Sequence, residues 1–363
     1  MTRQIKIGNL KIGGRAPIVI QSMTKTDTKD ASATIRQIKE LESAGCELVR
    51  LAVKDFQSAN AIKKIREGIT IPLVADIHFD YRLAIAAIEN GADKIRLNPG
   101  NIHKEEQVME VARLAKKRRI PIRVGLNSGS IGLPSASLTT SRSGQTRLKA
   151  NHLVKVALDY IKILEKAKFY DIIVSLKASD VMTTIEACRK FSKSSRYPLH
   201  LGVTAAGPIA EGLVKSSLGI GILLSEGIGD TIRVSLTGHP REEVIAAKNI
   251  LQALGLRRFG PEIISCPTCG RCQVDLIKIV NEFEKSYTLY AKRHTLKTFP
   301  RIAIMGCEVN GPGEAKEADI GIAFGKGSGI IFKRGRIIKK VKEKDAIKEI
   351  LRNTLYTLRK TNN

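Results

Sequence analysis

Eight short apolar runs rich in β-branched residues recur between residues 18 and 237, at 18–24, 48–53, 72–78, 94–100, 122–127, 172–177, 199–204 and 231–237. Each closes in polar or glycine residues. Amphipathic stretches lie between them, as at 31–44, 81–90, 105–118 and 183–191, with apolar positions three and four apart. Strand followed by helix, eight times over, is the count of a closed (β/α)8 TIM barrel, which takes about 250 residues. An open doubly wound sheet is the alternative.

The pattern changes after residue 255. Residues 256–265, with a Gly260-Pro261 turn signal, read as a linker between a barrel at 1–255 and a small α/β domain at 266–363. That second domain is expected to hold a helix at 273–285, strands at 301–305 and 320–324, a hairpin at 329–338 turning at Arg334-Gly335, and an amphipathic helix at 345–358.

In such a barrel the C-terminal strand ends form the active-site face, so the polar residues closing each run should converge. They form a basic, amide-rich set. Arg50, Arg96, Arg123 and Arg233 sit within runs, and Asn98, Asn127, Lys177, Thr204 and Ser235 sit at or near their ends. Guanidinium groups grip phosphate oxygens through paired hydrogen bonds and Lys adds a point charge, so the set points to a diphosphate or doubly phosphorylated ligand. The bland alternative pairs these cations with Asp76, Asp230 or Glu226. Asp76 and His78 can form an acid/base or metal pair, or His78 can be held within its loop. Glu226, flanked by glycine before the eighth run, is expected to handle a proton.

The six cysteines are too sparse for a disulfide scaffold, and four of them fall in the last third. Cys266 and Cys269 are two residues apart, and Cys307 opens a Gly- and Pro-rich segment ending at Glu314. Two thiolates from one turn and a third from a distant loop suit an iron–sulfur cluster. A zinc ribbon would want a second paired motif. Cys272 extends the first motif, so three cysteines with Glu314 and four cysteines compete as ligand sets. Cys46 and Cys188 read as small buried hydrophobes.

Charge adds less than its size suggests. Lys and Arg number 61 against 35 Asp and Glu, a net +26, yet Lys-rich stretches such as 339–344 fit solvated faces. With no Trp and 4% aromatics there is no stacking platform, so no nucleic-acid partner is expected. No run of 18 apolar residues and no charged-then-apolar leader is seen, so a cytoplasmic protein off the membrane is expected. Two rival readings remain: a basic, zinc-stapled nucleic-acid-binding protein, and a barrel aldolase or phosphate-sugar lyase with a structural metal domain that needs no reductant.

Over nearly its whole length the chain resembles the bacterial 4-hydroxy-3-methylbut-2-en-1-yl diphosphate synthases. The resemblance rests on residues 17–24, Ala75-Asp-Ile-His-Phe79, Lys94-Ile-Arg-Leu-Asn-Pro-Gly-Asn101, 223–236, Ile264-Ser-Cys-Pro-Thr-Cys-Gly-Arg271 and 305–315. It implies an oxidoreductase of isoprenoid synthesis that reductively opens and dehydrates 2-C-methyl-D-erythritol 2,4-cyclodiphosphate. It further implies a [4Fe–4S] cluster on Cys266, Cys269, Cys307 and Glu314, with Cys272 left out, and flavodoxin or ferredoxin as electron donor. Arg50, Arg96, Asn98, Arg123, Asn127, Lys177, Thr204, Arg233 and Ser235 are the implied diphosphate contacts, and a head-to-tail homodimer sharing its sites is the implied assembly. Glu314, a harder donor than thiolate, is expected to yield its place during catalysis.

Overall fold

The computed structural model describes residues 1–132, 141–293, 299–309, 311–314 and 318–361, in two compact units, Met1–Arg257 and Arg258–Asn363. The first opens with an antiparallel hairpin, β1 (Ile5–Ile7) and β2 (Leu10–Ile12). Strands and helices then alternate: β3 (Val19–Met23), α1 (Ala31–Ala44), β4 (Leu48–Val53), α2 (Phe56–Glu67), β5 (Leu73–Ile77), α3 (Tyr81–Glu89), β6 (Lys94–Leu97), α4 (Glu105–Arg118), β7 (Ile122–Asn127), α5 (Arg142–Lys166), β8 (Ile172–Lys177), α6 (Val181–Ser194), β9 (His200–Leu201), α7 (Ile209–Ser225), β10 (Thr231–Ile232) and α8 (Pro240–Ala253). All eight strands from β3 to β10 pair in parallel in chain order, and a bridge between Val174 and Leu199 joins β8 to β9. The sheet thereby closes on itself as a (β/α)8 barrel.

Local chemistry sets the strand-to-helix turns. Asp30, Asp55, Asp80 and Asp180 cap α1, α2, α3 and α6, accepting the N–H groups of Ala33, Ser58, Arg82 and Thr183 that the first helical turn leaves unpaired. The β1–β2 hairpin buries Ile5, Ile7 and Ile12 against Val19, Leu48, Val74 and Ile173, near the N-terminal ends of the strands. This apolar plug forms the barrel floor and leaves the opposite end to polar groups. Two runs make less strand than expected: β9 and β10 are two residues each, and at Gly202, just after β9, a Cβ would stand 2.4 Å from the Arg233 carbonyl oxygen.

The second unit contains β11 (Glu262–Ser265), α9 (Leu276–Arg293), β12 (Arg301–Met305), the single turn α10 (Gly311–Glu314), β13 (Ile320–Gly325), β14 (Ser328–Lys333), β15 (Arg336–Lys342) and α11 (Ala346–Thr361). Its sheet runs in the order β11-β12-β13-β14-β15, parallel across the first three strands and antiparallel thereafter. Part of the expected linker is therefore structure. Residues 262–265 pair with Arg301–Ile304, because Ile263 and Ile264 can pack against the cores on either side of the sheet. The expected helix at 273–285 starts later and runs longer. Arg334 (φ 46°) and Gly335 (φ 76°) make the two-residue turn between β14 and β15, both left-handed as a type I′ turn requires. Among the described residues no helix is long and apolar enough to cross a membrane.

Candidate active site

Alternate residues of a strand share a face, so Lys94, Arg96 and Asn98 on β6 and its end project together, as do Arg123, Gly125 and Asn127 on β7. Register then sets neighbours side by side: Asp76, Arg96 and Arg123 lie abreast across β5, β6 and β7, and Asn127 lies beside Lys177 on β8. Arg96 donates to Asp76 at 3.1 Å and to the Gly125 carbonyl at 2.7 Å, while Arg50 stands 3.6 Å from Asp76. Arg233 pairs with Glu243 at 3.3 Å, and Arg123 donates to Gln21 at 3.5 Å.

Six cations, Arg50, Lys94, Arg96, Arg123, Lys177 and Arg233, thus share this interior with two carboxylates, Asp76 and Glu243, among the described residues. Their environment records the imbalance. Burial lowers Arg50 to about 10 despite Asp76, and burial with the neighbouring arginines pushes Arg123 and Lys177 well below their ordinary values. Asp76 moves the other way: burial opposes its charge, but Arg50 and Arg96 outweigh that and hold its carboxyl far below the usual range. Lys94 Nζ and the Nε atoms of Arg96, Arg123 and Arg233 are buried without hydrogen-bond partners. Unpaired buried donors are costly, and an anion entering the barrel would satisfy both their hydrogen-bonding capacity and their charge.

Glycine makes the room. A Cβ on Gly125 would stand 2.4 Å from Arg96 Nε, and one on Gly202 would stand 2.6 Å from Lys177 Nζ. Gly125→Ala is therefore expected to leave the barrel folded but displace the Arg96 guanidinium, lowering kcat/KM by about tenfold or more, the scale of a core overpacking penalty of about 1–3 kcal/mol. Steady-state kinetics alongside thermal unfolding check this; a parent-like kcat/KM would show that Arg96 can move without cost.

Of the other expected site residues, buried Asn98 accepts from Gly100 N–H and Ser130 Oγ, both at 3.2 Å, so it also shapes its loop. Thr204 and Ser235 are half-buried beyond the C-terminal ends of β9 and β10. His78 is 3.5 Å from Asp76 and partly exposed. The expectation for Glu226 needs correction. It caps the C-terminus of α7 in the loop that enters β10, at the floor end of the barrel, and forks onto Arg189 of α6 at 2.9 and 3.2 Å. That exposed ion pair holds its carboxyl below its ordinary value and keeps it from the cations. Asp230, too, is spent elsewhere, on Thr2 and the Leu199 N–H.

The cysteines gather in the second unit. Cys266 follows β11 and Cys307 lies buried just beyond the adjacent β12. Gly306 N–H donates to Cys266 Sγ at 3.3 Å, and a Cβ on Gly306 would lie 2.3 Å from Cys272 Sγ and 3.5 Å from Cys266 Sγ. Only glycine leaves these sulfurs that cradle. Cys269 is exposed, and the Arg271 N–H and charge lower its thiol. The soft donor set suits iron–sulfur or zinc. Among the described residues, no three Cys, His, Asp or Glu groups stand ready around one ion, and the Glu314 side chain lies outside the described atoms. The Gly- and Pro-rich loop forms one helical turn, Gly311–Glu314.

Comparison with known proteins fits both units. Residues 2–248 match the model of the GcpE TIM-barrel domain and residues 262–355 that of the GcpE protein C-terminal domain. The chain belongs to the GcpE family. Among GcpE relatives, the 4-hydroxy-3-methylbut-2-en-1-yl diphosphate synthase (flavodoxin) of Caldicellulosiruptor saccharolyticus is 55% identical, covering 99% of this chain and 100% of its own. Those of Caldanaerobacter subterraneus and Clostridium perfringens are each 54% identical over 97% of this chain, and over 96% and 97% of their own. Dihydropteroate synthase from Stenotrophomonas maltophilia, 13% identical with a TM-score of 0.53, covers 71% of this chain and 100% of its own, a likeness of fold alone.

Sequence reading of this GcpE chain missed Gln21, Lys94, His200 and Glu243. The first three lie inside runs taken as strand and point inward with their neighbours two residues on. Counting by twos from Arg96 and Met23 would have found Lys94 and Gln21. Glu243 comes from α8, and no strand-based count reaches it.

Proposed function

We propose that this GcpE protein converts 2-C-methyl-D-erythritol 2,4-cyclodiphosphate to (E)-4-hydroxy-3-methylbut-2-enyl diphosphate by reductive ring opening and dehydration. The activity for which its relatives are named supports this reading, and the observation that carries it is the excess of buried cations over carboxylates in the barrel. Arg50, Arg96, Arg123, Lys177 and Arg233 bind the diphosphate. Asn98, Asn127, Thr204 and Ser235 orient its oxygens. As the ring opens at a carbon–oxygen bond, negative charge grows on the departing diphosphate oxygen, and fixed guanidiniums in a water-poor barrel stabilise it without reorganising. Asp76 fixes Arg50 and Arg96, and Glu243 fixes Arg233, so that each offers its remaining N–H groups to the ligand.

Cys266, Cys269 and Cys307 with Glu314 would hold a [4Fe–4S] cluster, which when bound supplies the two electrons of the reduction one at a time. Flavodoxin or ferredoxin is the donor. The active assembly is a homodimer in which barrel and cluster domain come from different chains.

Protein purified without oxygen should contain about four irons per chain and turn over the cyclic diphosphate only with a reduced donor. Iron-free protein that is fully competent, or turnover without reductant, would refute the reading. Mixing Arg96→Met with Glu314→Ala chains should restore activity if sites are shared between subunits; a mixture as inactive as its components would place both halves of a site on one chain.

A further inference from the structure

Among the described residues no carboxylate pairs with Lys177 in the barrel; its neighbour is a histidine. His200 opens β9, fully buried, and faces inward between β8 and β10. Its Nε2 lies 3.2 Å from Lys177 Nζ on one side, and its Nδ1 lies 2.8 Å from Thr231 Oγ1 on the other. Thr231 is its direct register partner across the β9–β10 pair, so this second contact is built into the sheet. Gly202, the next residue on the same face, leaves room for the ammonium.

The donor inventory fixes the roles. A bound diphosphate favours the ammonium form that burial and the arginines oppose, and an ammonium only donates, so in the liganded barrel Nε2 accepts and the ring proton sits on Nδ1 and is given to Thr231 Oγ1. A protonated imidazolium would turn a donor toward the ammonium and add charge beside it. Burial, with Lys177, Arg123, Lys94 and Arg50 nearby, keeps the ring neutral.

We propose that His200 is the positioning residue for Lys177: braced by Thr231, it takes one N–H of the ammonium and aims the other two at the diphosphate. The inference rests on the diphosphate-binding reading of the barrel. A lysine has three donors on a flexible four-carbon stem, and without an internal acceptor it must be ordered by the ligand alone. His200 removes that cost in advance.

The test uses the cluster-loaded full chain and two probes, inorganic diphosphate binding by calorimetry and the kinetics of the cyclic substrate. His200→Leu should weaken diphosphate binding about 30-fold, the effect of losing one hydrogen bond to a charged group together with preorganisation. His200→Gln, whose amide can accept from Lys177 and donate to Thr231, should recover most of that loss. Lys177→Met should weaken binding at least as much, and adding His200→Leu to it should cost little more, because the histidine then has nothing to position. Additive losses, or a Gln variant as poor as the Leu variant at equal thermal stability, would overturn the proposal. Nitrogen-15 NMR of the diphosphate-bound parent tests it without mutation: a His200 ring protonated on Nε2 refutes it. A parent that binds no diphosphate, but whose ring carries its proton on Nδ1 beside Lys177, would instead refute the reading of the barrel and leave the His200–Lys177 brace standing.

Discussion

Arg96→Met is expected to lower kcat/KM for the cyclic diphosphate by about 10²- to 10³-fold, in the range set by truncating one partner of a buried, hydrogen-bonded charge pair, about 2–5 kcal/mol. Arg96 is almost wholly buried, tied by Asp76 and the Gly125 carbonyl, and it keeps a buried Nε–H free. Methionine fills much of the stem's volume, so cavity formation is a minor part of the loss. What disappears is a fixed cation, and with it one of the three arginines that hold Asp76 ionised. Asp76 then keeps Arg50 and His78, so the carboxylate is not stranded and the fold should survive. Arg96→Lys should fall between parent and Met, since it restores charge but not the planar fork that spans Asp76 and Gly125. Steady-state kinetics with diphosphate affinity decide the matter. A Met variant within about threefold of the parent would remove Arg96 from the binding set, an effect below ~1 kcal/mol.

How legible the site was depends on where its residues fall in the repeat. Arg50, Arg96 and Arg123 were visible because each sits within a largely apolar run and Lys177 because it closes one, and a strand buried on both faces leaves a charged side chain nowhere to go but the barrel interior. His200 hid because only arginines within the runs and polar residues at or near their ends were taken as candidates, and a neutral imidazole second in its run is neither. Glu226 misled because its glycine-rich surroundings resemble a ligand loop. It lies in a loop that enters a strand, though, and active-site residues of these barrels come from loops that leave one. The β1–β2 hairpin escaped notice since Ile5-Lys6-Ile7 alternates for only three residues, too few to separate strand from coil, although its isoleucines become the barrel floor. In the second unit, the Arg334-Gly335 turn was readable from two residues, whereas β11 was not, because Gly260-Pro261 just ahead of it signals a break.

Cys307→Ser is expected to lose most of its iron, from about four atoms per chain to less than one, and with it the visible absorption and all measurable turnover. The sheet explains why this cysteine weighs more than its neighbours. Ser265 and Ile304 are register partners at the ends of parallel strands β11 and β12, so Cys266 and Cys307 leave adjacent strand ends on a rigid base. Cys269 is exposed and lies outside any strand, so no sheet fixes its position. A serine hydroxyl keeps nearly the same shape, but it is a harder and far less acidic donor, so the loss reports on sulfur ligation and not on packing. Cys272→Ser separates the two ligand sets that the spacing alone left open. Cys272 Sγ already donates to the Val274 carbonyl at 3.2 Å, the bond of a thiol committed to its own turn, so its replacement should leave iron content unchanged. Loss of iron from Cys272→Ser would instead select the four-cysteine set, with Cys272 taking the place of Glu314, whereas retention of iron by Cys307→Ser would overturn both sets.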